Sequence, residues 1–282
     1  MHLRFPIILL AVFLSCNAYT DRDQKNYASP KGYSLDTPVK FRVRESLREI
    51  SGIVLNPDEQ HIVAINDEDG KVFLVDVHAD QPYPTWKFAK GGDYEDIAYT
   101  GKEWMVLKSN GMLYQVHGLF TDSTSSTHFR FPEPGKREFE SAYFDPQRNS
   151  VVIICKNCEE DKKQGTTTAY QFDMGTMVYH SEPVFKLDVK AIAKLAGVPL
   201  KNFKPSAAAI HPVEKRLYIV ASVNSLLVIT DLQGKVQEAY NLKRTLFPQP
   251  EGISFAPNGD MYISNEGGET LANILKFSYH AK

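Results

Sequence analysis

Five short phrases in this 282-residue chain carry its candidate chemistry: Ser51-Gly52-Ile53, Glu95-Asp96-Ile97, Glu140-Ser141-Ala142, Ser206-Ala207-Ala208 and Glu251-Gly252-Ile253. Three of them open on a glutamate. Two residues before the openings stand Glu49, Asp93, Glu138, Lys204 and Gln249, and residues two apart share one side of an extended segment. A second group, Asp67, Glu68, Lys108, Lys156, Asn265 and Glu266, follows an apolar run in its own repeat. Where such groups meet, the carboxylates stay ionised only with a cation or basic side chains among them. Oxygen ligands suit a hard cation such as calcium, so Glu95, Glu140 and Glu251 are the candidate metal ligands. Glu49, Asp67, Glu68, Asp93, Lys108, Glu138, Lys156, Lys204, Asn265 and Glu266 form the candidate ligand-binding set. Two plainer accounts use the same residues. Polar strand starts can simply cap backbone groups, and Lys108, Lys156 and Lys204 can neutralise the glutamates as structural pairs. Histidines fall on turns or at varied strand positions, which argues against zinc. There is no Gly-x-Ser-x-Gly elbow and no phosphate-cradling glycine loop.

The elements that must position these residues follow from the spacing. The phrases recur mostly every 45 residues or so, a period that means a β-propeller when it is filled with short strands. Each repeat offers four strand candidates, separated by turns such as Asn56-Pro57-Asp58, His211-Pro212 and Asn258-Gly259. In a propeller the innermost strand starts on the face where the second strand ends, so both groups are expected at one rim of the channel. The fifth repeat lacks its outer strand. Val39-Lys40-Phe41-Arg42-Val43, ahead of the first repeat, has the matching pattern. The expectation is an all-β, five-bladed propeller closed by this N-terminal strand, leaving no open edge. Six blades is the alternative, if the longer third repeat hides one. That repeat carries two additions, a charged loop over 157–165 and a short amphipathic helix over 187–196.

The N-terminus reads as a targeting segment. Residues 1–15 form a short basic start and an apolar run, as in a signal peptide, and end in Leu14-Ser15-Cys16-Asn17. This resembles a bacterial lipobox, with Cys16 the lipidated first residue of the mature chain. An ordinary cleaved signal with a chance cysteine is the alternative. Asn17 gives no inner-membrane retention signal, so an outer-membrane lipoprotein of the cell envelope is expected. Residues 16–38 read as a flexible tether and 39–282 as the propeller domain. The membrane is reached only through the lipid. A net charge of −2 draws nothing toward nucleic acid. Cys155 and Cys158 follow the strand run Val151-Val152-Ile153-Ile154, where neither a thioredoxin-like helix start nor a four-ligand zinc site is in reach. A local disulfide is the better reading in an oxidising compartment.

The phrases Leu47-Arg48-Glu49-Ile50-Ser51-Gly52, Asp93-Tyr94-Glu95-Asp96-Ile97-Ala98, Phe139-Glu140-Ser141-Ala142 and Pro250-Glu251-Gly252-Ile253 resemble the SdiA-regulated (YjiK-like) propeller family, as do Asp67-Glu68 and Ser264-Asn265-Glu266. The resemblance covers about residues 40–280. It implies an exported propeller related to phytase-like and NHL-type groups, without an established reaction. In phytase-like relatives, glutamates at inner-strand starts coordinate calcium. Glu95, Glu140 and Glu251 match that phrase, and Ser51 and Ser206 depart from it. Two functions are carried forward. One is a lipid-anchored propeller that binds a small molecule or protein at an acidic mouth. The other is a calcium-dependent hydrolase of phosphoesters or lactones.

Overall fold

The structure, a computed structural model, describes residues 27–281 apart from 80, 133, 134, 269 and 270. Five antiparallel sheets stand around a central channel. The chain enters with β1 (Val39–Arg42) and then lays down four blades in order. The first is β2 (Ile50–Leu55), β3 (Ile62–Asn66), β4 (Lys71–Val75) and β5 (Thr85–Lys87). The second is β6 (Tyr94–Tyr99), β7 (Trp104–Lys108), β8 (Leu113–His117) and β9 (Ser125–Phe129). The third is β10 (Phe139–Asp145), β11 (Ser150–Cys155), β12 (Thr166–Asp173), β13 (Val178–Tyr179) and β14 (Phe185–Asp188), with β13 and β14 both on β12. The fourth is β15 (Ala207–Ile210), β16 (Leu217–Ala221), β17 (Leu226–Thr230) and β18 (Val236–Asn241). The last is β19 (Pro250–Phe255), β20 (Met261–Asn265) and β21 (Asn273–Phe277). Its fourth strand is β1, paired with β21 from Val39 against Lys276 to Arg42 against Asn273. The count is five blades, closed by the N-terminal strand.

The core lies between blades. Five clusters of buried side chains fill the five interfaces, each combining the apolar faces of neighbouring second and third strands. The second strands β3, β11 and β16 are buried at every position, because each faces a neighbouring blade on both sides.

Two expectations are corrected here. The tether does not run to residue 38. Tyr33 and Leu35 are buried against Tyr218, Leu227 and Phe277. The Tyr33 hydroxyl donates to Gly259 O at 2.5 Å and lies 2.8 Å from His211 Nε2. A polar, glycine-containing composition hid two large side chains able to cover a blade interface. The stretch read as a charged loop holds a helix, α1 (Glu159–Gln164), with acids in its first turn and lysines in its last, the order that suits the helix dipole. The amphipathic segment forms α2 (Val189–Ala196), where Asp188 caps the N-terminus by accepting from Lys190 N–H at 2.8 Å.

Candidate functional site

A local irregularity puts the glutamates into the channel. In β6 the register passes from Tyr94 opposite Lys108 to Asp96 opposite Leu107, leaving Glu95 without a partner. β10 skips Glu140 between Phe139 and Ser141, and β19 skips Glu251 between Pro250 and Gly252. In β2 the same shift falls across Ser51 and Gly52. Each is a β-bulge, which re-aims one side chain and turns the strand. The residue after the bulge sits where inner strands approach one another. A Cβ on Gly52 would meet Asp96 Oδ1 at 2.3 Å and Asp96 Cα at 2.6 Å. Asp96 itself is buried, and its carboxylate accepts Ile97 N–H and Ala142 N–H, each at 2.8 Å, tying the second blade to the third. Burial raises its pKa against those two bonds.

The bulged glutamates open into a cavity of about 630 Å³. Eight carboxylates line it: Glu49, Asp67, Asp93, Glu95, Glu138, Glu140, Glu251 and Glu266. Lys156 stands among them, ion-paired with Glu140 and 3.6 Å from Glu138. Cys155 and Cys158 form a disulfide, so Lys156 lies inside its four-residue ring. Gln249 donates to Glu266 at 2.9 Å, and Asp67 Oδ1 is buried without a hydrogen-bond partner.

Burial, then neighbouring charge, sets the titration here. Glu95 is pushed up to about 8 by burial and Asp93, opposed by Lys156. Glu251 rises to about 7 through burial, with Lys156 and the Ser222 hydroxyl holding it back. Asp67 rises to about 6 through burial and Glu49. Glu266 is raised by burial and by a hydrogen bond with Glu49. The mouth is short of positive charge near neutrality, and part of it holds protons instead.

The structure brings together Glu95, Glu140, Glu251, Glu49, Asp67, Asp93, Glu138, Lys156 and Glu266. It leaves four expected residues outside. Lys108 lies over the Tyr94 ring, 5.8 Å from its centre, and Lys204 lines a separate small cavity beside Asp161. Glu68 is exposed, and Asn265 is buried, bonded to Asn273 at 3.2 Å. Of the three lysines expected to neutralise the mouth, only Lys156 makes ion pairs with its glutamates among the described residues. Ser206 donates to Pro250 O at 2.5 Å and joins the fourth blade to the fifth. Arg244, Val223 and Pro248 also line the cavity. They lie on turns and linkers outside the repeat phrase; a basic residue shortly before the fifth phrase was the available signal. Cys16 lies outside the described residues.

The three metal-ligand candidates do not close on one point. Among the described residues, only Cys155, Cys158 and Asp161 bring three ligand-type atoms within 4.8 Å of one another, and both cysteines are in the disulfide. The oxygen donors fit a hard cation in chemistry, but Lys156 already pairs with Glu140 and competes for one of the three carboxylates.

No family model matches the sequence, and no curated protein matches it. Solved structures share its fold. Glutaminyl cyclase from Myxococcus xanthus is 12% identical with a TM-score of 0.57, the match covering 86% of this chain and 98% of that one. A luciferin-regenerating enzyme is 11% identical with a TM-score of 0.52, covering 86% and 95%. At these identities the likeness concerns the propeller fold alone.

Proposed function

We propose that this propeller is an exported, lipid-anchored binding protein of the SdiA-regulated type, and that its acidic mouth takes a positively charged ligand or the basic surface of a partner. The observation that carries the reading is the imbalance at one cavity: eight carboxylates line it against two basic side chains, Arg244 and Lys156, the latter ion-paired among them. A cation entering the mouth displaces protons from Glu95 and Glu251 and restores their ionised forms. Because the carboxylates are spread over the wall, a ligand with several spaced amines matches them better than a single ion. Calcium is the simple-ion version of the same proposal. The hydrolase reading is less supported, because among the described residues Glu95, Glu140 and Glu251 do not converge as one ligand set.

Thermal melts at pH 7.5 with calcium, and separately with spermidine, test this. Binding to the native state alone raises the melting temperature with the logarithm of ligand concentration. The rise is expected for spermidine, with proton release in calorimetry, and is expected to shrink in Glu251→Gln. A melting curve that neither ligand moves would remove the site.

A further inference from the structure

The channel has a second opening on the opposite face, with the opposite character. The C-terminal ends of the inner strands enclose a cavity of about 340 Å³. Every blade contributes to its wall, among them Val54, Tyr99, Phe144, Ile210 and Phe255. A concave apolar lining open to water marks a ligand site more often than a plain surface, and the volume falls within the usual range for small molecules.

Lys215 is the single charged residue in that lining. It is exposed, and among the described residues it has no ion-pair partner. Three carboxylates on the turns of this face are already engaged. Glu214 accepts from Arg216 and from Tyr218 OH at 2.9 Å, Asp145 is paired with Arg148, and Asp260 with Lys276 at 3.1 Å. One unpaired ammonium at the lip of an apolar cavity complements one negative charge on an apolar body. The acidic mouth at the far end repels the same molecule, so an anion reaches the channel from this side only.

We propose that the apolar mouth binds a single-chain amphipathic anion, its hydrocarbon chain inserted between the inner strands and its carboxylate on Lys215. The site is independent of the acidic mouth and of any cation bound there. Affinity then depends on chain length, rising about fourfold for each methylene removed from water. The sign of the head group matters too, because Lys215 attracts a carboxylate and repels an ammonium.

Trp104 supplies a reporter. Its ring packs on Tyr99, centres 4.5 Å apart, and Tyr99 lines the mouth. Octanoate, decanoate and dodecanoate, each below its micelle concentration, are titrated while tryptophan emission and heat are followed. Saturable binding that tightens about 15-fold for each two methylenes is expected. Dodecylammonium should bind at least tenfold more weakly than dodecanoate. Lys215→Glu should weaken dodecanoate at least tenfold, with Lys215→Gln as the milder variant. Ala209→Leu, which narrows the lining, should weaken the whole series with the melting temperature kept. No saturable binding in the wild-type series would overturn the proposal. So would affinity independent of chain length, or equal affinity for the two head groups.

Discussion

Glu95 shows how a single side chain links this fold to pH. Its ordinary value of 4.5 is pushed up to about 8, because burial and Asp93 both disfavour the charge. A carboxyl whose folded value lies above its unfolded value stabilises fully while protonated in both states, below about 4.5. That contribution is lost as pH rises toward 8, since the unfolded chain gives up its proton first. Glu251 and Asp67 act in the same direction over a shorter range. Glu214 and Asp260 are lowered, chiefly by hydrogen bonds that outweigh burial, and work the other way at the acid end. Glu95→Gln removes one titration and leaves the rest. Urea denaturation from pH 4.5 to 8 should show a flatter decline in stability for Glu95→Gln than for wild type. Equal slopes would mean that Glu95 is ionised throughout. Asp96, one residue on, is the opposite lesson. A carboxylate buried among backbone N–H groups cannot be told from its half-buried, cavity-lining neighbour Glu95 by residue type, because burial is a property of the assembled blades.

At the scale of the strand, the bulge decides which residue reaches the channel. The repeat phrase was legible because every blade uses the same entry, so Glu95, Glu140 and Glu251 stood out by recurrence. The bulge was not legible, and it is what makes Glu95, Glu140 and Glu251 face the channel. Lys204 shows the limit of reasoning by alternation. Glu49, Asp93 and Glu138 each immediately precede a strand, whereas β15 begins three residues after Lys204. The intervening backbone takes its direction from Asn224, which accepts Lys204 N–H at 2.8 Å. The helix α1 was hidden for a different reason: six charged or polar residues carry no apolar period to read. Gly52 tests the inner-strand packing. Its added Cβ meets Asp96 Cα and Ile97 N at 2.6 Å, which are backbone atoms with nowhere to move. Gly52→Ala should therefore cost about 1–3 kcal/mol, read from chemical denaturation, or prevent folding outright. Gly165→Ala offers a control, since nothing lies within 4 Å of its Cβ and only the left-handed φ of +68° is strained. Its expected cost is about 1 kcal/mol, and a Gly52→Ala variant no worse than this control would refute close packing there.

For the molecule as a whole, residues 33–42 hold the ring to its last blades. β1 completes the last blade, and Tyr33 and Leu35 add a latch over the fourth and fifth. Deleting residues 27–43 removes both. Losing the burial of Tyr33 and Leu35 alone is worth about 3–6 kcal/mol, which corresponds to a melting temperature lower by roughly 10 °C or more. Hydrogen exchange should then be fast along Asn273–Phe277, whose outer edge stands open, and size-exclusion chromatography should show self-association. Retention of the wild-type melting temperature would show that the ring closes without its N-terminal strand. The same closure imposes an order in time. The partners Phe41 and Ile274 are separated by nearly the full length of the domain, so the first strand made is the last to find its neighbour. A chain delivered from its N-terminus builds four blades by local pairing, each on the one before, and keeps β1 unsatisfied throughout. Completion is a single late event, and until it happens the nascent domain is an open arc with an exposed strand at each end.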